Sequence, residues 1–179
     1  MTALVIDPVA SRLAVRTRAG GMLSRLAHDL EIVASTLRGH ATLEGDGFSG
    51  ELVVPVSSLR VAGALRGESV DTDALWTSDR AEIERKMREE VLARTDEIRV
   101  RARGTSRQRG DLTVEIASGA TTVPAALRVA DEGSSVRVEG RVELSLKRLG
   151  IAEVKAPLGV FRVKDAVEVI FALTLRPEG

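Results

Sequence analysis

The residues best suited to chemistry in this chain are a glycine-rich hexapeptide, an acidic stretch and two histidines. The hexapeptide GDGFSG, which begins at Gly45, matches the dinucleotide-binding pattern G-x-G-x-x-G. That pattern binds phosphate where a strand precedes it and a helix follows, because the helix N-terminus meets the phosphate. Here strand-like runs stand on both sides, and Pro55 disfavours a helix. The sequence therefore predicts a hairpin turn at this position and no nucleotide site.

Within the acidic stretch from Glu68 to Asp79, the triplet D-T-D resembles the start of a calcium-binding loop. Such a loop needs an oxygen ligand at its fifth position and a glycine at its sixth. Leu75 and Trp76 occupy those two positions. We therefore predict a solvent-exposed loop that leads into a helix.

The histidines, His28 and His40, lack the ligand spacing of a metal site, and Asp29 would point to the opposite face of a strand from His28. The chain contains no cysteine, which excludes disulfides and thiol catalysis. It also contains no G-x-S-x-G nucleophile elbow, and no set of nucleophile, base and orienting group can be identified. We therefore predict a protein that is not an enzyme and holds no metal or other cofactor.

Charge is balanced, with 26 Lys and Arg residues against 26 Asp and Glu residues. Arginines alternate along two segments: Arg12, Arg16 and Arg18, and Arg99, Arg101 and Arg103. Proteins that bind single-stranded nucleic acid usually add aromatic side chains on which bases stack, whereas aromatic residues make up only 2% of this chain. We interpret the arginine rows as the outer faces of strands and predict no nucleic-acid partner.

The elements that must position any site are mainly β-strands. Apolar residues alternate with polar ones along several segments, of which Val136–Leu146 and Val167–Leu175 are the longest. Side chains two positions apart share one face of a strand, so each segment has one apolar and one polar face. Glycine-containing turns separate about eight such strands, which indicates an antiparallel sandwich or closed barrel. Closure is favoured because it removes exposed sheet edges.

One segment, Ser78–Ala93, has the pattern of a helix of about three turns. Asp79 and Glu82 have the spacing of a capping box, and one face carries Ile83, Met87 and Val91. A second, short helical turn is predicted across Gly21–Ala27, where Met22, Leu23 and Leu26 recur. With 179 residues and no internal repeat, the chain is predicted to form one domain, residues 1–179.

The N-terminal segment has no basic region ahead of an apolar run, and its only apolar stretch, Ala3–Ile6, is too short for a signal peptide or a membrane span. The sequence thus predicts a cytoplasmic location and no integral membrane segment.

Several segments in consistent order resemble the YceI-like family of bacterial lipocalin-like proteins. They are VIDPVASRLAVRT, LSRLAHDLEI, FSGELVVPVSSLRV, SDRAEIERKMREEVLARTDEIRVRARG, SLKRLGI and VKDAVEVIFALTL. The resemblance spans nearly the whole chain, although Leu149 replaces the family's usual aromatic residue and the signal peptide of many periplasmic members is absent. It implies an extended eight-stranded antiparallel barrel with a long apolar cavity for polyisoprenoid, quinone or fatty-chain ligands. Some members pair, which implies a homodimer.

Composition independently favours a cavity. A barrel of about eight strands either fills its interior with side chains or holds one ligand, and this chain offers Val, Leu and Ala in place of bulky aromatics. We therefore predict an aliphatic tunnel. Candidate residues for its mouth or lid are Met22, Leu26, Trp76, Ile83 and Met87, and for its wall, Val54, Leu127, Val142, Leu144, Val169 and Phe171. Arg25 and His28 are candidates either for contact with a polar head group or for a structural role.

The function predicted from these features is non-catalytic binding or carriage of a long apolar molecule. One alternative is a stress-associated interaction module with a closed, ligand-free barrel, in which the outer surface binds the partners. Another is an enzyme that acts on a hydrophobic substrate, for which the sequence offers no recognisable catalytic set.

Overall fold

Antiparallel strands make up most of the computed structural model, which describes residues 1–21, 28–155 and 162–179. In chain order the strands are β1 (Thr2–Ile6), β2 (Arg12–Thr17), β3 (Ala19–Gly20), β4 (Leu30–Ala34), β5 (Arg38–Glu44), β6 (Gly47–Pro55), β7 (Leu59–Arg66), β8 (Ser69–Asp71), β9 (Glu97–Ser106), β10 (Arg109–Ile116), β11 (Gly119–Glu132), β12 (Ser135–Ser145), β13 (Arg162–Val163) and β14 (Ala166–Pro177). A short 3-10 turn covers Val56–Ser58. Helix α1 (Thr77–Lys86) continues into a π-helical turn over Met87–Val91.

Eight strands close into a ring in the order β1, β5, β6, β9, β10, β11, β12 and β14, and β14 pairs back with β1. The twelve-residue strand β14 is long enough to pair with two strands placed end to end: Ile6 of β1 lies opposite Leu175, and Leu13 of β2 lies opposite Phe171. Beyond β2 the sheet continues through β4, β7 and β8. The predicted eight-stranded antiparallel barrel is therefore confirmed.

The alternation of the sequence determines which side chains face inward. Val142 lies opposite Val169, and Leu144 lies opposite Val167, so apolar residues of β12 and β14 share the inner face. The residues that alternate with them along each strand face outward, where Arg141 forms an ion pair with Glu168 at 3.2 Å. The arginine row of β9 also faces outward, with Arg101 2.7 Å from Glu115. The barrel thus has an apolar interior and an ion-paired exterior.

The hexapeptide GDGFSG forms the β5–β6 hairpin, as predicted. Gly45 occupies the turn with a φ of 59°, a left-handed conformation that glycine adopts without steric cost. Strand β6 starts at Gly47, so no helix follows the motif. The phosphate-binding interpretation therefore has no structural support.

A phenylalanine lies across a glycine in the barrel wall. Phe171 of β14 pairs with Gly140 of β12, and a Cβ atom at Gly140 would lie 2.4 Å from Cζ of Phe171. The ring therefore covers the surface that a side chain at Gly140 would occupy.

Replacing Gly140 by Val is expected to lower the free energy of unfolding by about 1–3 kcal/mol, because the ring of Phe171 must leave its position. Urea unfolding monitored by circular dichroism measures the change. The control Ala130→Val enlarges an exposed side chain on β11 and is expected to have a much smaller effect. Equal stability of the two variants would contradict the packing of Phe171 on Gly140.

The helix begins one residue earlier than the predicted segment. Its first residue is Thr77, the residue before it is Trp76, and no side chain caps its N-terminus. The prediction of a capping box from Asp79 and Glu82 is wrong, because Asp79 lies inside the first turn. The predicted apolar face is present: Ile83, Met87 and Val91 pack against the core.

Side chains of the helix bind the backbone of β7. Glu84 accepts a hydrogen bond from the Val61 amide at 3.0 Å, and Arg80 donates to the carbonyls of Val61 and Ala62 at 3.2 and 3.1 Å. These groups belong to the part of β7 that precedes its pairing with β8, which begins at Ala64. The helix thus satisfies backbone groups that would otherwise form an open sheet edge.

The predicted helical turn over Gly21–Ala27 falls almost entirely on residues outside the described part of the chain. Among the helices that the structure describes, none combines the length and apolar character needed to cross a membrane.

Candidate ligand-binding cavity

The barrel encloses a cavity of about 680 Å³. Ligand sites in proteins commonly occupy roughly 300–1,000 Å³, so the space suits one elongated small molecule. Inward-facing aliphatic side chains from most of the barrel strands form its wall, among them Leu4, Leu13, Leu52, Val100, Leu112 and Val138. The structure therefore contains a cavity lined by aliphatic side chains where the sequence predicts a tunnel.

The predicted wall residues all line this cavity: Val54, Leu127, Val142, Leu144, Val169 and Phe171. Their positions follow from alternation, since each lies in the inward register of β6, β11, β12 or β14. Contact of these side chains with a ligand stays a prediction.

At one end, α1, β3, β13 and the β10–β11 turn surround the cavity; we call this the helix end. Two hydrogen bonds join the β10–β11 turn to the residues that follow the helix and to those that follow β12: Ala117 donates its amide to Thr95 Oγ1 at 3.1 Å, and Ser118 Oγ donates to the Leu149 carbonyl at 2.7 Å. Ile83 and Met87 line the cavity from the helix, as predicted for the mouth.

The placement of Trp76 at the mouth is wrong. Its side chain is 78% exposed and does not line the cavity. Because the helix starts at Thr77, Trp76 precedes its first turn, and the neighbouring Leu75 lines the cavity instead. Helical periodicity could not place a residue that lies outside the helix.

Of the other predicted mouth and head-group residues, Met22, Arg25 and Leu26 lie outside the described residues. His28 lines the cavity and is exposed to solvent. The cavity lining also includes His40, which lies on β5 opposite Glu51. Within residues 1–21, 28–155 and 162–179, no group of three or more possible metal ligands comes together.

Sequence reasoning missed the segment that follows β12. Leu146, Leu149, Ile151 and Val154 line the cavity, and Leu149 and Ile151 are buried. The alternation of Leu144 with Leu146 could have extended the predicted wall by one residue. Beyond Leu146 the chain leaves the strand, so the period of two no longer indicates which side chains face inward.

Hydrogen bonds to Asp165 connect this segment to the start of β14. Its carboxylate accepts hydrogen bonds from Ser145 Oγ at 2.6 Å and from the Lys147 amide at 2.8 Å. Its carbonyl accepts a third from the Leu146 amide at 3.0 Å. These contacts position the apolar residues 146–151 against the helix end of the cavity.

We expect the pKa of the Asp165 carboxyl to lie below its ordinary value of 3.8, because the Ser145 hydroxyl and then the Lys147 amide stabilise the charged form. The stabilisation is fully present above the ordinary pKa and is lost as the pH falls through the lowered pKa. An NMR titration of the side-chain carboxyl carbon measures this. A titration at or above the ordinary value would contradict the contacts.

At the opposite end, which we call the turn end, the ring of Phe48 crosses two glycines. Cβ atoms at Gly104 and Gly110 would lie 2.3 and 2.6 Å from ring atoms of Phe48. Arg107 lines the cavity nearby and forms two hydrogen bonds with Asp131, at 2.6 and 3.1 Å. The guanidinium holds the pKa of Asp131 below its usual range. An aromatic ring and an ion pair thus border the cavity at this end.

Comparison with protein-family models gave no match, and no curated protein matched the sequence. Among solved structures, the fold is similar to the crystal structure of BcnA from Burkholderia cenocepacia. The TM-score is 0.65 at 12% sequence identity, and the match covers 94% of this chain and 98% of BcnA. At this identity the likeness concerns the fold alone: nearly the whole chain follows a lipocalin-like barrel known from experiment.

Proposed function

We propose that this protein binds one long apolar molecule, a polyisoprenoid, quinone or fatty-chain lipid, inside its barrel without transforming it. The observation that carries the proposal is the cavity of about 680 Å³ with a wall of aliphatic side chains. An apolar ligand in a space of this size makes van der Waals contacts with the aliphatic side chains that line it.

The cavity has the length for an extended chain. The inward residues of β14 from Val167 to Leu175 all line it, and eight residue steps span about 26 Å along a strand. Burial of apolar surface contributes about 0.8 kcal/mol for each methylene group. A long chain can therefore bind tightly without a specific polar contact along the wall.

Native mass spectrometry of the purified protein, followed by organic extraction and lipid analysis, tests the proposal. We expect a bound mass at a ratio of one ligand per barrel that is released only on denaturation. If the protein is isolated without a ligand and also takes up no long-chain lipid, quinone or polyisoprenoid added in solution, the proposal fails.

The second candidate is an interaction module whose barrel stays empty. The exposed Trp76 favours it, because a large aromatic side chain that is 78% exposed is suited to contact a partner. This candidate predicts that Trp76→Ala impairs partner binding and that occupation of the cavity has no effect on it. Pairing of two copies as a homodimer stays a prediction, which analytical ultracentrifugation can test.

A further inference from the structure

Positive charge predominates where the cavity opens at the helix end. Four basic side chains line that end, Arg18, Lys86, Lys155 and Arg162, whereas Asp79 is the acidic residue lining it in the part of the chain that the structure describes. The side chains of Lys155 and Arg162 are 60% and 59% exposed, so the cavity reaches solvent beside them.

Each of these basic groups has a carboxylate nearby, but two of them share the same one. Lys155 and Arg162 share one carboxylate, Glu153, at 3.3 and 3.2 Å. Arg18 pairs with Asp29 at 3.2 Å, and the Lys86 ammonium lies 3.8 Å from Glu82. The sequence segments 22–27 and 156–161 contain no Asp or Glu, so neither adds a carboxylate to the balance.

The β3–β13 ribbon holds the basic groups beside the opening. Arg162 pairs with Gly20 across the ribbon and forms a further bridge with Lys155. The Lys164 amide donates a hydrogen bond to the Arg18 carbonyl at 2.8 Å. Backbone pairing therefore brings cationic residues from three parts of the sequence to one rim.

We infer that the ligand is an amphiphile with an anionic head group, a carboxylate or a phosphate ester, which lies at the helix end while its apolar chain enters the barrel. This inference rests on the proposed function, because the head group is placed by a chain in the cavity. Lys155 and Arg162 bind the anion, since two cations that share one carboxylate retain a positive charge for it.

Three probes with the same alkyl chain separate the head group from the chain: dodecanoate, dodecyl phosphate and dodecanol. Their affinities are compared by displacement of a polarity-sensitive fluorophore at low and at high salt. We expect one or both anions to bind about fivefold more tightly than the alcohol at low salt, the factor that corresponds to about 1 kcal/mol of exposed ion pairing. High salt should reduce this preference. Preference for only one anion identifies the head-group chemistry.

The double variant Lys155→Gln/Arg162→Gln is expected to lose the preference for the anions and to keep the affinity for dodecanol. Retained binding of the alcohol shows that the barrel is folded. The control Arg103→Gln/Arg128→Gln makes the same change in net charge at exposed positions on β9 and β11, away from the helix end, and should retain the preference.

Equal affinity of all three probes for the native protein would overturn the anionic head group and leave the proposed function intact. A preference that survives in the Lys155→Gln/Arg162→Gln variant would overturn the assignment to the helix end. Failure of every probe to bind, together with an isolated protein that is empty, would instead count against the proposed function.

Discussion

Replacing Val169 by Asp is expected to abolish binding of a long apolar chain while the barrel remains folded. Val169 lines the cavity and lies opposite Val142, another lining residue. It is only partly buried, so a carboxylate there can be hydrated as long as the cavity holds no ligand. A bound chain would remove that water, and desolvation of a charged group costs several kcal/mol. Because each 1.4 kcal/mol is tenfold in affinity, the loss should be about 100-fold or more.

The neighbouring residue provides a matched control for this prediction. Ile170 is one position further along β14, pairs with Arg141 and Ala14, and faces outward. Ile170→Asp makes the same change in charge on the other side of the wall and removes one methylene group more. We expect it to retain ligand binding, measured by the same fluorophore displacement. If Val169→Asp is folded by circular dichroism and binds as the native protein does, the ligand does not occupy the cavity.

The barrel could be predicted from the sequence because its physical cause is local. Alternation along β12 and β14 fixes the inner face of each strand, and inward residues such as Val142 and Val169 need no knowledge of their partners. The hairpin at Gly45 was predictable for the same reason, since strand-like runs on both sides exclude a helix. The number of strands followed from turn signals, and their closure agreed with the family resemblance.

The division of the wall at the helix end was not predictable. Val56–Ser58 forms a turn between β6 and β7, and residues 35–37 separate β4 from β5. Alternation alone would extend each strand through these breaks. The contacts of Arg80 and Glu84 with the β7 backbone also join parts of the sequence that are about twenty residues apart. No local period encodes such pairings.

The candidate site also has one part that was predictable from the sequence and one part that was not. Its apolar wall was predictable from strand alternation, whereas its rim depends on tertiary pairing. Lys155 and Arg162 become neighbours through a backbone bridge between them, the pairing of β13 with β3 places them beside Arg18, and neither residue belongs to a charge pattern in the sequence. For Trp76 the error was an assignment too many: this apolar side chain beside the predicted helix was assigned to the cavity mouth, but it is exposed and does not line the cavity. The cytoplasmic location stays a prediction.

Sequence reasoning also missed Glu31, a buried carboxylate on the outer face of β4 that binds two arginines of β2. Glu31 is only 1% exposed and accepts hydrogen bonds from Arg12 and from Nε of Arg16, the latter at 3.0 Å. Arg16 also contacts Glu68 at 2.7 Å, and its side chain is 11% exposed. The sequence showed a row of arginines but not the single carboxylate that two of them surround.

Replacing Glu31 by Ala is expected to lower the free energy of unfolding by about 3 kcal/mol, because it leaves the nearly buried Arg16 with only the exposed carboxylate of Glu68 as a partner. Arg16 cannot easily reach water, since 11% of its side chain is exposed. Urea unfolding at neutral pH measures the effect. Glu31→Gln should recover part of the loss, because the amide oxygen can still accept a hydrogen bond from Arg16.

Glu68→Ala is the matched control, because it removes the other carboxylate that contacts Arg16. The Glu68 side chain is 72% exposed, so water replaces it beside the guanidinium. Its removal is therefore expected to cost much less stability than the removal of Glu31. Both carboxylates bind the same guanidinium at similar distances, so the difference between the two variants measures the burial of Glu31 together with its further contact with Arg12. If Glu31→Ala and Glu68→Ala destabilise the barrel equally, burial of Glu31 does not determine its contribution, and the ion pair alone accounts for it.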